Sequence, residues 1–233
     1  MPTARPTPPR FEGFADTRGR FFEALLLHND RDWFQAHRAE YEEGWRAPMA
    51  LLLAELRARL LPLYRGVELA PPKVFRINRD VRFSREKVPY KTHVAGLLSV
   101  AGPGGPMGGP AVAYLHVSHH EAFTGGGIYA MEPPALARHR RELLHPRRGP
   151  ALARLAEALE AEGFTLEAIE TLKRAPAGVP ADHPRLRLLR MKGLVAMAPP
   201  IPRRLLVRRE LLDHVEGRAR AVAPLVRRLL AGA

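Results

Sequence analysis

A chain of 233 residues with 46% hydrophobic and 26% charged residues has enough apolar material for a real core, which excludes overall disorder. It has no cysteine, so disulfides, a thiol nucleophile and a thiolate zinc site are all excluded. The net charge of +13 points to acidic partners, yet the surplus is almost all Arg in an Ala-, Leu- and Pro-rich chain, the usage expected of a GC-rich genome.

Residues 1–10 hold four prolines and read as a flexible arm, with 11–233 expected as a single α+β domain. The N-terminus lacks the apolar core of a signal peptide, and no apolar run approaches the roughly 18 residues that span a bilayer. A cytoplasmic protein with no membrane partner is the expectation. Asp16 or Thr17 is placed to cap a helix buried through Phe21, Phe22 and Leu25, with Phe14 as its staple. Asn29-Asp30 then caps a second helix over 31–45, in which Trp33, His37 and Tyr41 fall one turn apart. His37 there has two readings: a locally satisfied ring on a half-buried aromatic face, or a group aimed with Arg38 into a basic site. Pro48 opens a third, amphipathic helix that ends near Pro62 and Gly66.

The stretch from Lys73 to Lys91 is the most informative. It carries a net +5, and apolar residues are threaded through it at strand spacing. Read as a strand, Arg76, Asn78, Asp80 and Arg82 project from one face, against Phe75, Ile77, Arg79, Val81 and Phe83 on the other. Guanidiniums flanking a carboxylate on a rigid strand suit an anion. Three of the five lysines, Lys73, Lys87 and Lys91, lie here, and the other two, Lys173 and Lys192, lie in or near a second motif region. A turn follows over 84–92, held by Pro89, with Ser84 at its start and Tyr90 directly after the proline.

Strands are predicted over His93–Val100, Ala111–Ser118 and Glu121–Tyr129, the last two joined at His119-His120. The Gly- and Pro-rich 101–110 segment connects the first pair and has the composition of a lid. Gly125-Gly126-Gly127 predicts a bulge or a close backbone approach. Helices follow over about 133–144 and 151–161, then a strand near 164–172. Asp182 is read as the cap of a helix over RLRLLRMK, ahead of a short strand at 193–198. A long amphipathic helix spans 208–231. The sheet is expected to be mainly antiparallel, with an N-terminal helical layer on it and a mainly helical C-terminal part.

Five segments, FEGF (11–14), HNDRDWFQAHRAEY (28–41), FRINRDVRFSREKVPYKTH (75–93), TGGGIY (124–129) and LKRAPAGVPADHP (172–184), together resemble the domain-of-unknown-function family 2461, conserved hypothetical proteins of bacteria and fungi. His28-Asn29 stands where members often have paired asparagines. The resemblance implies that the second helix, the basic stretch and the Asp182-His183 segment form one design, and it brings no assigned activity or cofactor.

From the residues, the expected function is an anion-binding cleft for a small phosphorylated or carboxylated ligand, catalysis being open. Its binding residues would be Arg38, Arg76, Asn78, Arg79, Arg82, Ser84, Lys87, Tyr90, Lys91, Lys173 and Arg174. Asp80, Tyr90, His37 or His183 would move protons. A nucleic-acid-binding module and a purely structural Arg/Asp network are the alternatives. No motif asks for a cofactor. His116, His119, His120 and Glu121 are close in sequence, but the turn is expected to point them apart, and no metal site is predicted.

Overall fold

The computed structural model describes residues 9–80, 82, 87–102 and 109–231. Most of the proposed arm, the core of the 101–110 connection, and Val81, Phe83 and Ser84 fall outside them. The architecture is α+β.

Helix α1 (Arg20–Leu27) starts where the Asp16 carboxylate accepts the backbone N–H groups of Arg18 and Gly19, both at 2.6 Å, and of Arg20 at 3.3 Å. Phe14 stacks on Trp45 at 5.5 Å and closes that end of the core. Asp30 caps α2 (Arg31–Ala36) by accepting the Trp33 N–H at 2.9 Å. The expected single helix over 31–45 breaks at His37, and α3 (Arg38–Tyr41) continues from there. Nor does Pro48 open a fresh helix. A π-turn over Glu42–Arg46, in which the Ala47 N–H reaches back to the Glu42 carbonyl, runs straight into α4 (Ala47–Leu60). Proline has no N–H for the carbonyl four residues back, and its ring crowds that turn. A widened turn just ahead of it absorbs the mismatch.

Six strands follow in the order β1-β2-β3-β4-β6-β5, every neighbouring pair antiparallel. They are β1 (Lys73–Val74), β2 (His93–Ser99), β3 (Ala111–Ser118), β4 (Ala122–Ile128), β5 (Thr165–Glu167) and β6 (Leu194–Met197). The basic strand expected over 74–83 is therefore reduced to the two residues of β1. Beyond Phe75, whose N–H still reaches the Ala95 carbonyl, the chain pairs locally with the 89–91 segment. The Arg79 N–H donates to the Pro89 carbonyl, the Lys91 N–H donates to the Ile77 carbonyl, and Asn78 bridges Tyr90. Pro89 has no N–H to carry a longer ladder.

Helix α4 and the C-terminal α8 (Glu210–Ala231) cover one face of the sheet, α4 over β2 and α8 over β3 and β4. Two glycines allow the close approach. A Cβ at Gly96 would stand 2.4 Å from Leu53 Cδ1, and one at Gly126 would stand 3.1 Å from Val222 Cγ1. Arg59 ties the two helices together through Asp213 (2.6 Å) and Glu216 (2.8 Å). Helices α5 (Pro133–Leu144), α6 (Arg148–Ala161) and α7 (Leu186–Arg190) gather at the β4–β6–β5 side. Helix α6 starts three residues earlier than the 151 read from sequence. Asp182 does not cap α7. His183 shapes that turn, its Nδ1 accepting the Arg185 N–H at 3.1 Å and its carbonyl the Leu186 N–H at 2.8 Å.

Asn29 joins the helical layer to the sheet. Its Nδ2 donates to the Tyr90 carbonyl (3.1 Å) and its Oδ1 accepts the Tyr90 N–H (3.0 Å). Asn29→Ala strands both backbone groups, and each unmet buried group costs about 1–3 kcal/mol. Chemical denaturation should show a loss of roughly 2 kcal/mol or more, while Asn29→Asp, which can keep only the accepting half, falls between.

Candidate functional site

Strand register determines what the second face of the sheet presents. Lys73 lies opposite Leu97, Leu97 opposite Tyr114, Tyr114 opposite Gly125, Gly125 opposite Met197, and Met197 opposite Thr165. The next row runs through Ala95, His116 and Phe123. Large side chains thus stand beside positions with none. The result is a cleft of about 670 Å³, walled by Phe75, Leu97, Tyr114, Phe123, Val195 and Met197 and floored by Gly125, Gly126 and Gly127. Of the two expectations for the glycine run, close backbone approach is what it shows, while the register slip beside it, between Ala111 and Tyr114, puts the extra residue on β3.

The cleft's two ends differ. At the Phe75 end, Lys73 Nζ stands 5.6 Å and Lys91 Nζ 5.9 Å from the centre of the Phe75 ring. Lys91 also donates to the Arg76 carbonyl at 3.1 Å. Burial, and then the Arg76 charge, lower the Lys91 pKa. Glu167 and the exposed Tyr129 mark the other end.

Beside the cleft is a cluster of imidazoles. The His93 and His116 rings are 4.3 Å apart, and His116 stacks on Phe123 at 4.7 Å with a 7° tilt. His116 is buried. Its Nδ1 lies 3.4 Å from the Tyr114 hydroxyl and its Nε2 3.3 Å from Glu121 Oε1, the latter contact not aligned as a hydrogen bond. His120 Nε2 is 3.5 Å from the same oxygen. The turn therefore brings His116, His120 and Glu121 together where the sequence reading had them diverge, because the Ser118 N–H closes onto the Glu121 carbonyl at 2.8 Å. Among the described residues, no group of three or more His, Cys, Asp or Glu is arranged to hold a metal ion. Burial drives the pKa of His116 down to about 3, with His93 and His120 adding to it. Burial, Lys91 and His120 take His93 down to about 4. Burial first and Glu121 second raise the Tyr114 pKa.

The residues singled out from sequence are spread more widely. Arg76, Asn78, Asp80 and Arg82 are exposed, and none lines the cleft. Val74, on their side of the strand, pairs with Gly96 beneath α4, so it is Lys73 and Phe75 that face the cleft. Asp80 and Arg82 form a two-point pair at 3.0 and 2.7 Å, whose hydrogen bonds hold the Asp80 carboxyl below its usual range. Arg79 is half-buried and Lys87 exposed, while Ser84 lies outside the described residues. Tyr90 is buried and stacked on Phe34 at 4.2 Å. His37 stacks on Trp33 at 4.0 Å, its Nδ1 2.8 Å from the Trp33 carbonyl, which is the locally satisfied arrangement; Arg38 beside it is exposed. Lys173, Arg174 and His183 belong to the far edge, where Thr171 bridges Met191 beyond β5 and β6. Of the predicted binding residues, Lys91 is the one placed at the Phe75 ring. Sequence reading missed Tyr114, His93 and Phe123 as site residues. Their signal was the alternation of His93, Ala95 and Leu97 and of Tyr114, His116 and Ser118.

The chain matches the model of the family of conserved hypothetical proteins DUF2461 over residues 19–227, and it belongs to that family. FEGF at 11–14 lies just ahead of the match. No protein of curated function matches it. Among the described residues, no helix is long and apolar enough to cross a membrane.

A buried imidazole kept neutral in the fold must be left uncharged at a pH where the unfolded chain takes up the proton. His93, His116 and also His139, which burial drives down to about 4, are in this position. Their contribution to stability is complete above the unfolded value of about 6.5 and is lost as pH falls toward 4 and below. The melting temperature should hold between pH 7 and 8 and drop steadily below pH 6. His116→Gln should flatten that slope.

Proposed function

We propose that this family member binds a small organic anion with an apolar body in the cleft across the open sheet face. The observation behind this reading is a hollow with aromatic walls and a glycine floor, with two lysine ammoniums beside the Phe75 ring at one end. An apolar body gains roughly 25 cal/mol for each Å² it withdraws from water between Phe75, Tyr114 and Phe123. The carboxylate or phosphate then sits toward Lys73 and Lys91, where charge-assisted hydrogen bonds are worth about 1.5–3 kcal/mol each. The anion-binding reading of the basic stretch is thereby kept, with its centre moved from the exposed arginine row to Lys91 and Lys73.

Nucleic acid is a weaker candidate. Arg59, Arg82, Arg148, Arg187, Arg209 and Arg220 each pair with a carboxylate, so these six do not form an open row of cations for successive phosphates. A duplex bound through the remaining charges would lose affinity steeply with salt, at about 0.9 in log K per phosphate contacted.

The probe 8-anilinonaphthalene-1-sulfonate carries the required ring system and anion. It should saturate at one site per chain, and Lys73→Gln with Lys91→Gln should weaken it about tenfold or more at unchanged melting temperature. An affinity unmoved by the double substitution would reject the site. Tight duplex binding with no competition by the probe would favour nucleic acid instead.

A further inference from the structure

Resting on that reading, we infer that Tyr114 is a catalytic residue which exchanges a proton with the bound anion, with His116 and Glu121 behind it as a relay to solvent. The Tyr114 ring stands in the wall of the cleft opposite Gly125, where no side chain intervenes. Its hydroxyl is 3.4 Å from His116 Nδ1, and the other nitrogen of that ring is 3.3 Å from Glu121 Oε1. Packing between His93 and Phe123 leaves the His116 ring little freedom to turn. Its Nε2 is a buried polar atom with no aligned hydrogen bond. Glu121 is exposed on the β3–β4 turn, so a small rotation of its carboxylate supplies the missing acceptor and connects the chain of groups to water.

The chemistry of each link fits. A neutral imidazole can accept at one nitrogen while donating from the other, which an imidazolium cannot do. Burial keeps His116 in that neutral form at ordinary pH. In the forward direction the ligand's acidic proton moves to the Tyr114 oxygen as the phenolic proton passes to His116 Nδ1. The Nε2 proton passes to Glu121 and leaves to water. No covalent bond to the protein forms, and the electron pair of the broken X–H bond stays on the ligand. The extra negative charge then develops in a cleft with Lys73 and Lys91 beside its Phe75 end, whose positive charges stabilise it. The reverse sequence returns a proton to the ligand. The substrate class is thus an organic anion with a removable proton on a hydroxyl or on a carbon next to a carbonyl, and the reaction is a proton transfer such as keto–enol interconversion.

Phenylpyruvate offers a carboxylate, a phenyl ring and such a carbon. Its exchange of carbon-bound hydrogen in D2O can be followed by proton NMR beside its affinity by calorimetry. The full chain should bind it and accelerate exchange. Tyr114→Phe should keep affinity within about threefold and lose about 100-fold or more in exchange, the usual scale for a positioned acid–base group. His116→Gln should lose exchange with affinity retained. The imidazole nitrogen spectrum of the unsubstituted protein should show the Nε2–H tautomer of His116, with the Nδ1 resonance displaced in Tyr114→Phe. Binding accompanied by exchange equal in the unsubstituted protein and Tyr114→Phe, or a His116 protonated at Nδ1, overturns the relay while leaving the cleft intact. Failure to bind phenylpyruvate or the anilinonaphthalene probe removes the cleft itself.

Discussion

A β-strand sends successive side chains to opposite faces, and the glycine run of β4 uses that rule on both faces at once. Gly126 points toward α8, and its missing side chain lets Val222 close on the sheet. Gly125, one position earlier, points the other way, toward Met197, and presents no side chain to Tyr114. A side chain at either position would meet something: at Gly125 the Met197 sulfur at 2.6 Å and the Ala196 carbonyl at 2.8 Å. One short sequence therefore sets both how tightly the covered face packs and how deep the uncovered face is. The helical layer and the cleft are two consequences of one strand.

The charge around the cleft follows from burial more than from composition. The +13 of the whole chain is spread over a surface where arginines repeatedly meet carboxylates. Exposed pairs of this kind contribute little to stability and make a poor guide to a site. Beside the cleft the count of charges is small, with Lys91 half-buried and Lys73 exposed. Two lysines lie at one end, and two imidazoles held neutral lie along the side. The buried His116 Nε2, which has no aligned hydrogen bond, is the polar group there with interaction energy left over.

The sequence disclosed the elements far better than their juxtaposition. Strands at 93–100, 111–118 and 121–129 were legible to within about a residue because alternation and the His119-His120 turn are local signals. The α+β class and the helical layer followed. The face of the basic stretch was not legible in this way. Alternation correctly separates Arg76, Asn78 and Asp80 as exposed from the buried Ile77. It cannot say which side of β1 meets α4, since that depends on Gly96 accepting Leu53 and on Pro89 ending the ladder. His93, Tyr114 and Phe123 were hidden for a related reason. They come from three strands and share a face only through register, which a two-residue period leaves open. Lys173, Arg174 and His183 were grouped with the basic stretch because the family resemblance implied one design, yet a six-stranded sheet separates them from it.

The distribution of lysine has a physical explanation in this arrangement. The chain prefers Arg almost everywhere, yet the two cations at the Phe75 ring are Lys73 and Lys91. Lys91 stands close to Arg76, and their repulsion adds to burial in lowering its proton affinity. A second guanidinium there could not relieve that repulsion, because it holds its proton at any pH a protein meets. An ammonium is a compact charge on a flexible stem and can turn away from Arg76. It also occupies a smaller volume at the mouth of the cleft than a planar fork. Lysine at this place eases the crowding of charge beside Arg76, and the proposed ligand would meet a compact cation there.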